Sequence, residues 1–129
     1  MIHKTRVIKG HGRGKKLLGY PTLNLIIPSE LLTEHGIYAG WVIFEGRTYP
    51  GAFHYGPIPS FNDAQPSLEV FVIDHNIKIT PTVIFFEFTQ KIREIKNFTN
   101  LEQLIQQIKQ DVKKTKSVLR TTISPEFKI

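Results

Sequence analysis

The chain has 129 residues, 40% hydrophobic and 22% charged, which suits one globular core and excludes wholesale disorder. It contains no cysteine, which excludes disulfides and thiolate metal sites and fits a reducing compartment. The N-terminal MIHKTRVIKG lacks an apolar targeting core and no run is long enough to span a bilayer, so the net charge of +6 directs attention to polyanions: nucleic acid, acidic lipid or a nucleotide triphosphate.

Strands dominate the first two thirds. TRVIKG is a short β-type run, and PTLNLII alternates in part before stopping at Pro28. GIYAGWVIFEG is aromatic and β-branched between Gly36 and Gly46, which predicts a third strand, with Trp41 expected to fill core. RTYPGAFHYG is interrupted by Pro50 and Gly51, which predicts an edge strand or a bulge. SLEVFVID follows the polar turn FNDAQP, and TVIFFEFTQKI is the last β candidate. The period then changes. Leu101, Leu104, Ile105, Ile108, Val112 and Leu119 recur at helical spacing, with Thr99 and Glu102 in the form of a capping box. Lys113, Lys114 and Lys116 lie toward the helix end, where the dipole favours cations. The stretch KQDVKKTK reads as a solvated helix face, and the tail 120–129 is expected to be flexible. Many short strands and one helix predict a mainly β domain spanning 1–129, a small barrel or sandwich with the helix covering one side.

Two stretches carry candidate chemistry. In GHGRGKKLLGYPTLNL, successive glycines allow close backbone approach to a ligand, and Arg13, Lys15 and Lys16 add positive charge suited to phosphate oxygens. The loop is neither a Walker A motif nor a dinucleotide fingerprint, because Lys16 is followed by no hydroxyl residue and the loop runs into a proline and a strand. Pro21 holds Tyr20 extended, and Thr22 and Asn24, two apart, share one strand face. A hydroxyl and an amide carbonyl on one face are hard oxygen ligands; the alternative is that both simply face solvent while Leu23 and Leu25 face the core. In SLEVFVID, Leu68, Val70 and Val72 share one face and Glu69, Phe71 and Ile73 the other; Glu69 reads either as a general base or as a solvated edge residue. His3, His11, His35, His54 and His75 show no metal-ligand spacing, and surface roles suit most of them.

These segments resemble the riboflavin kinase family. The family pattern is a glycine- and basic-rich loop followed by Leu-Gly-x-Pro-Thr-Ala-Asn, and Leu18-Gly19-Tyr20-Pro21-Thr22-Leu23-Asn24 matches it with Leu23 in place of alanine. HGIYAGWV is similar to the family's Gly-Val/Ile-Tyr-x-Gly segment, and SLEVFVID to its Leu-Glu-x-His segment, with Phe71 where the histidine stands. KIREIKNFTNLEQLIQQIKQDV resembles the lead into the C-terminal helix, with Arg93, Phe98 and Asp111 in place. Phe53-His54-Tyr55-Gly56 departs from the family's Ala-Asn-Ile-Gly, Ile58-Pro59-Ser60-Phe61 from its Arg-Pro-Thr-Phe, and NIKITP from its Leu-Tyr-Gly turn.

The resemblance implies a six-stranded antiparallel, Greek-key-like barrel with a C-terminal helix packed on it. It implies transfer of the γ-phosphate of ATP to the 5'-hydroxyl of riboflavin, giving FMN and ADP. It assigns nucleotide binding to Gly10, Gly12, Arg13, Gly14, Lys15, Lys16, Gly19, Pro21, Thr22 and Asn24, and metal binding to Thr22 and Asn24. The metal is expected to be Mg2+, with Zn2+ or Mn2+ as alternatives. Glu69 becomes the catalytic base, and Arg93 and Phe98 line the flavin. A cytoplasmic monomer without nucleic-acid or membrane partners is expected, and, with no adenylyltransferase half in the sequence, no FAD synthesis. The runner-up is a catalytically degenerate flavin- or nucleotide-binding regulatory module of the same fold. A basic barrel for single-stranded nucleic acid ranks last, because the basic cluster and the aromatics are segregated along the chain.

Overall fold

The six β-type runs become six strands: β1 (His3–Ile8), β2 (Thr22–Leu25), β3 (Gly36–Phe44), β4 (Arg47–Gly56), β5 (Ser67–Val72) and β6 (Val83–Arg93), followed by the helix α1 (Leu101–Arg120). The structure, a computed structural model, describes residues 1–8, 22–57 and 65–125. The strands close into a barrel in the order β1-β2-β5-β4-β3-β6, every pair antiparallel. Closure removes the unpaired edges that an open sheet would leave. The β3–β4 hairpin turns on Glu45 and Gly46, both with positive φ (52° and 74°), which matches the twist of a two-residue hairpin.

The expectation that β4 is an edge or carries a bulge is overturned. β4 pairs with β3 along its length and with β5 from Gly51 to Gly56. Pro50 stands one residue before the β5 pairing begins, and its carbonyl accepts from the Ile73 N–H at 2.9 Å. The irregularities fall on β6 instead. Its register against β3 shifts between Ile37 and Tyr38 and between Ala39 and Gly40, leaving Ile92 and Thr89 as extra residues. The strands come so close here that a Cβ on Gly40 would lie 2.2 Å from the Glu87 carbonyl oxygen.

Alternation then sorts the side chains. Leu23, Leu25, Val42, Phe53, Leu68, Val70, Val72, Ile84 and Phe86 point inward and are buried. Phe53, Phe86 and Phe88 interlock at ring separations of 5.0 to 5.5 Å. Trp41, two residues from Ala39 on the outward face, is half-buried opposite Pro50 rather than in the core. The outward face of β3 and β4 is small where Ala39 faces Ala52, so α1 can lie close, setting Ile108 and Val112 against Ala52 and Ile73. Leu104 and Phe71 pack at the margin of this cluster, whereas Leu101 is exposed.

The helix starts one residue later than the capping box predicts. Asn100 is the N-cap and its Oδ1 accepts from the Gln103 N–H at 2.9 Å, while the Thr99 hydroxyl donates to Gln103 Oε1 at 2.8 Å. Both frames satisfy the motif, and the Asn100–Gln103 frame prevails; Glu102 sits in the first turn, where the dipole favours it. At the far end only Arg120 lies in the last turn, so Lys113, Lys114 and Lys116 are upstream of the helix terminus. Residue 120 of the tail is helical, and the Thr121 and Thr122 hydroxyls donate to the Val118 and Leu119 carbonyls. KQDVKKTK is only partly solvated, because Asp111, Val112 and Thr115 are buried.

Thr115 lies wholly buried, and among the described residues its hydroxyl has no hydrogen-bond partner. Replacing it with valine keeps the β-branched shape and removes the orphaned polar group. Thr115→Val is therefore expected to raise stability by about 1 kcal/mol, read as a higher midpoint in urea with an unchanged slope. An unchanged or lower midpoint would mean that the hydroxyl has a partner after all.

Candidate functional site

β2 is four residues long, and its burial alternates. Leu23 and Leu25 face the core at 4% and 2% exposure, so Thr22 and Asn24 stand on the outer face, half-buried. Here β5 lies directly alongside, with Asn24 opposite Glu69 and Thr22 opposite Phe71. Directly opposed residues have Cβ atoms about 5 Å apart on the same face, and diagonal ones roughly 7 to 8 Å. Hydroxyl, amide and carboxylate therefore occupy one patch of the barrel wall.

Glu69 is 4% exposed and lies on a strand paired on both sides, which removes the reading of a solvated edge residue. Phe71 follows it on the same face, at the margin of the apolar cluster under α1. A carboxylate in such a position is costly unless polar groups surround it. The register supplies two polar flanks, Asn24 on one side and His54 of β4 on the other.

The row continues from His54 to Ile37 on β3 and from Ile37 to Arg93 on β6. Arg93 Nε and Nη2 each donate to an Asp111 carboxylate oxygen at 2.8 Å, and Nη1 donates to the Glu94 carbonyl at 2.8 Å. Gln107 Nε2 also donates to Asp111 at 3.0 Å, and the guanidinium lies 5.9 Å from the Phe98 ring centre. This pair ties the end of β6 to α1. A cleft of about 530 Å³ opens beside it, lined in part by Lys96, Gln110, Lys113 and Lys114. A second cleft, of about 360 Å³, lies at the barrel end near His3, Glu30, Tyr38 and Phe88. There the hydrogen bond from His3 holds the Glu30 carboxyl below its ordinary range.

The structure thus brings together Thr22, Asn24 and Glu69, and sets Arg93 and Phe98 at the far end of the same row. Gly10, Gly12, Arg13, Gly14, Lys15, Lys16, Gly19 and Pro21 lie outside the described residues. His54 was not singled out for this site by the sequence, although Ala52 and His54 alternate with inward Phe53 and Tyr55. Among the described residues no three His, Asp or Glu side chains form a metal-holding group. The hydroxyl, amide and carboxylate oxygens do fit a hard divalent cation of the kind that keeps several waters and shares its remaining positions with phosphate oxygens.

Known proteins resemble this chain in sequence and in fold. A family model described as Flavokinase: Riboflavin kinase matches residues 1–119. Riboflavin kinase of Mus musculus is 31% identical over 123 residues, covering 88% of this chain and 77% of the relative. The chain spans about a third of the length of the bifunctional riboflavin kinase/FMN adenylyltransferases it matches (34% and 36%). Among solved structures, riboflavin kinase from Trypanosoma brucei superposes with a TM-score of 0.67 at 23% identity, covering 94% of this chain and 80% of that one. A chain from Streptococcus pneumoniae described as a macrolide-efflux protein gives a TM-score of 0.76 at 25% identity, covering 89% of this chain and 38% of that one. These two likenesses bear on the barrel fold. Among the described residues no helix is long and apolar enough to cross a membrane.

Proposed function

The chain belongs to the riboflavin kinase family, and on that premise we propose that it transfers the γ-phosphate of ATP to the terminal ribityl hydroxyl of riboflavin, giving FMN and ADP. The observation that carries the reading is the buried carboxylate of Glu69 set directly across from Asn24, with Thr22 one diagonal away.

Phosphoryl transfer asks the protein for positioning and charge neutralisation more than for covalent chemistry. Thr22 and Asn24 would hold the metal ion, read as Mg2+, which when bound neutralises charge on the phosphate oxygens. The glycines and cations between Gly10 and Lys16, with Gly19 and Pro21 behind them, would receive the triphosphate. The ribityl oxygen attacks the γ-phosphorus while the bond to the β–γ bridging oxygen breaks and leaves with ADP. Glu69 accepts the hydroxyl proton as that attack proceeds, because an uncharged alcohol is a poor nucleophile. Arg93 stands three strand spacings from Glu69 along the row, roughly 14 Å over the sheet, which suits an isoalloxazine ring at the Arg93–Phe98 end with its ribityl chain reaching toward the carboxylate. Among the described residues the strands close into a barrel, which supports action as a monomer, and the absence of cysteine suits the cytoplasm.

The test is to incubate the purified protein with riboflavin, ATP and magnesium and to resolve flavins by chromatography. FMN is expected to accumulate, and chelating the metal is expected to stop it. Flavin binding without FMN would favour the degenerate module, a reading motivated by His54 and Phe71 where the family carries other residues. Binding of single-stranded oligonucleotides in place of both ligands, with steep salt dependence, would displace the kinase reading altogether.

A further inference from the structure

We infer that His54 is a positioning residue for the Glu69 carboxylate, an inference that rests on the kinase reading above. His54 is the Cα partner of Glu69 on β4, and the two side chains rise from the same outer face about 5 Å apart at their Cβ atoms. The ring is anchored at its Nε2. Its Nε2 lies 3.2 Å from the Gly56 carbonyl oxygen and 3.2 Å from the Pro57 carbonyl oxygen. A carbonyl has no hydrogen to give, so Nε2 must carry the proton and donate to both, which fixes the tautomer. Gly56 has a φ of 140°, and a Cβ there would meet Ile95 Cδ1 at 2.5 Å and His35 Cβ at 3.0 Å, so the backbone at the end of β4, which sets the Gly56 carbonyl, calls for glycine.

The consequence is a wall of fixed shape on the β4 side of Glu69. Asn24 bounds the carboxylate on the β2 side. A general base works only within hydrogen-bond reach of its proton, and a misplacement of about 1 Å can cost a hundredfold in rate. Holding the imidazole by its far nitrogen restricts where the carboxylate can swing without placing His54 on the substrate.

The test compares His54→Ala with His54→Gln in FMN formation. Glutamine places an N–H where Nε2 stands and keeps the anchor. Alanine is expected to lower kcat by roughly tenfold to a hundredfold with the KM for ATP unchanged, and glutamine to recover most of that loss. A thermal midpoint near that of the wild type in both variants is part of the expected result. Equal kcat in wild type and His54→Ala would overturn the inference while leaving the kinase reading intact, as would a kcat loss accompanied by collapse of the fold and no recovery with glutamine. A wild type that forms no FMN would instead sink the kinase reading, and the inference with it. The ring nitrogens provide a readout without turnover: 15N shifts in the ligand-free protein should report the Nε2–H tautomer, and the other tautomer or an average of the two would refute the anchor.

Discussion

Glu69→Gln is expected to lower kcat for FMN formation by about a hundredfold to ten-thousandfold, the range that a positioned general base supplies. Glutamine keeps the volume of the side chain and one acceptor oxygen, and it loses the ability to take up a proton. Glu69 sits 4% exposed between β2 and β4, so the substitution also removes a charge from a largely enclosed site. An uncharged isostere there costs less to bury than a carboxylate, and the thermal midpoint should hold or rise. Nucleotide affinity, measured by equilibrium binding of a non-hydrolysable ATP analogue with magnesium, should stay within a fewfold of wild type. The informative pattern is therefore a collapse of kcat with stability and nucleotide binding preserved. A variant that turns over like the wild type removes Glu69 from proton transfer and leaves the buried carboxylate with a purely structural role.

Much of the scaffold was legible because its signals are local. Alternation in PTLNLII and SLEVFVID sorted inward leucines and valines from outward Thr22, Asn24 and Glu69, and helical spacing after Phe98 located α1. What alternation does not give is which strand becomes a neighbour of which. β2 pairs with β5 across more than forty residues of sequence, and only that non-local pairing sets Asn24 against Glu69. Periodicity left solvated and functional readings of these residues side by side, and only the family resemblance favoured the functional one. The same limit explains the misses. Pro50 signals an interrupted ladder, yet its position one residue outside the β5 pairing lets β4 stay central. Trp41 is apolar and aromatic, yet its place in the alternation faces outward. Thr99 and Asn100 are both good caps one residue apart, and local sequence contains nothing that excludes either frame. His54 looks like any surface histidine until the register shows which carboxylate it faces.

The ion pair between Arg93 and Asp111 should carry a comparably large effect on stability. Both partners are mostly enclosed, at 16% and 10% side-chain exposure, and the pairing is bidentate, with two donors at 2.8 Å. Asp111→Ala leaves the guanidinium half-satisfied against the Glu94 carbonyl and removes the acceptor for Gln107. Removing one member of a buried pair costs about 3 to 5 kcal/mol, and residual exposure places this case near the lower end. For a chain of this size that amounts to a fall in Tm of about 10 °C, with α1 loosened from β6. Arg93→Ala should cost a similar amount, and the double variant should cost far less than the sum of the two, since each single change already breaks the same contact. Catalysis then separates the two residues. Arg93 also faces Phe98, at the proposed flavin end of the row, whereas Asp111 is spent on holding the guanidinium. The KM for riboflavin should therefore rise more in Arg93→Ala than in Asp111→Ala at equal stability loss. Equal rises would assign Arg93 to the strand–helix joint alone and leave flavin contact to its neighbours.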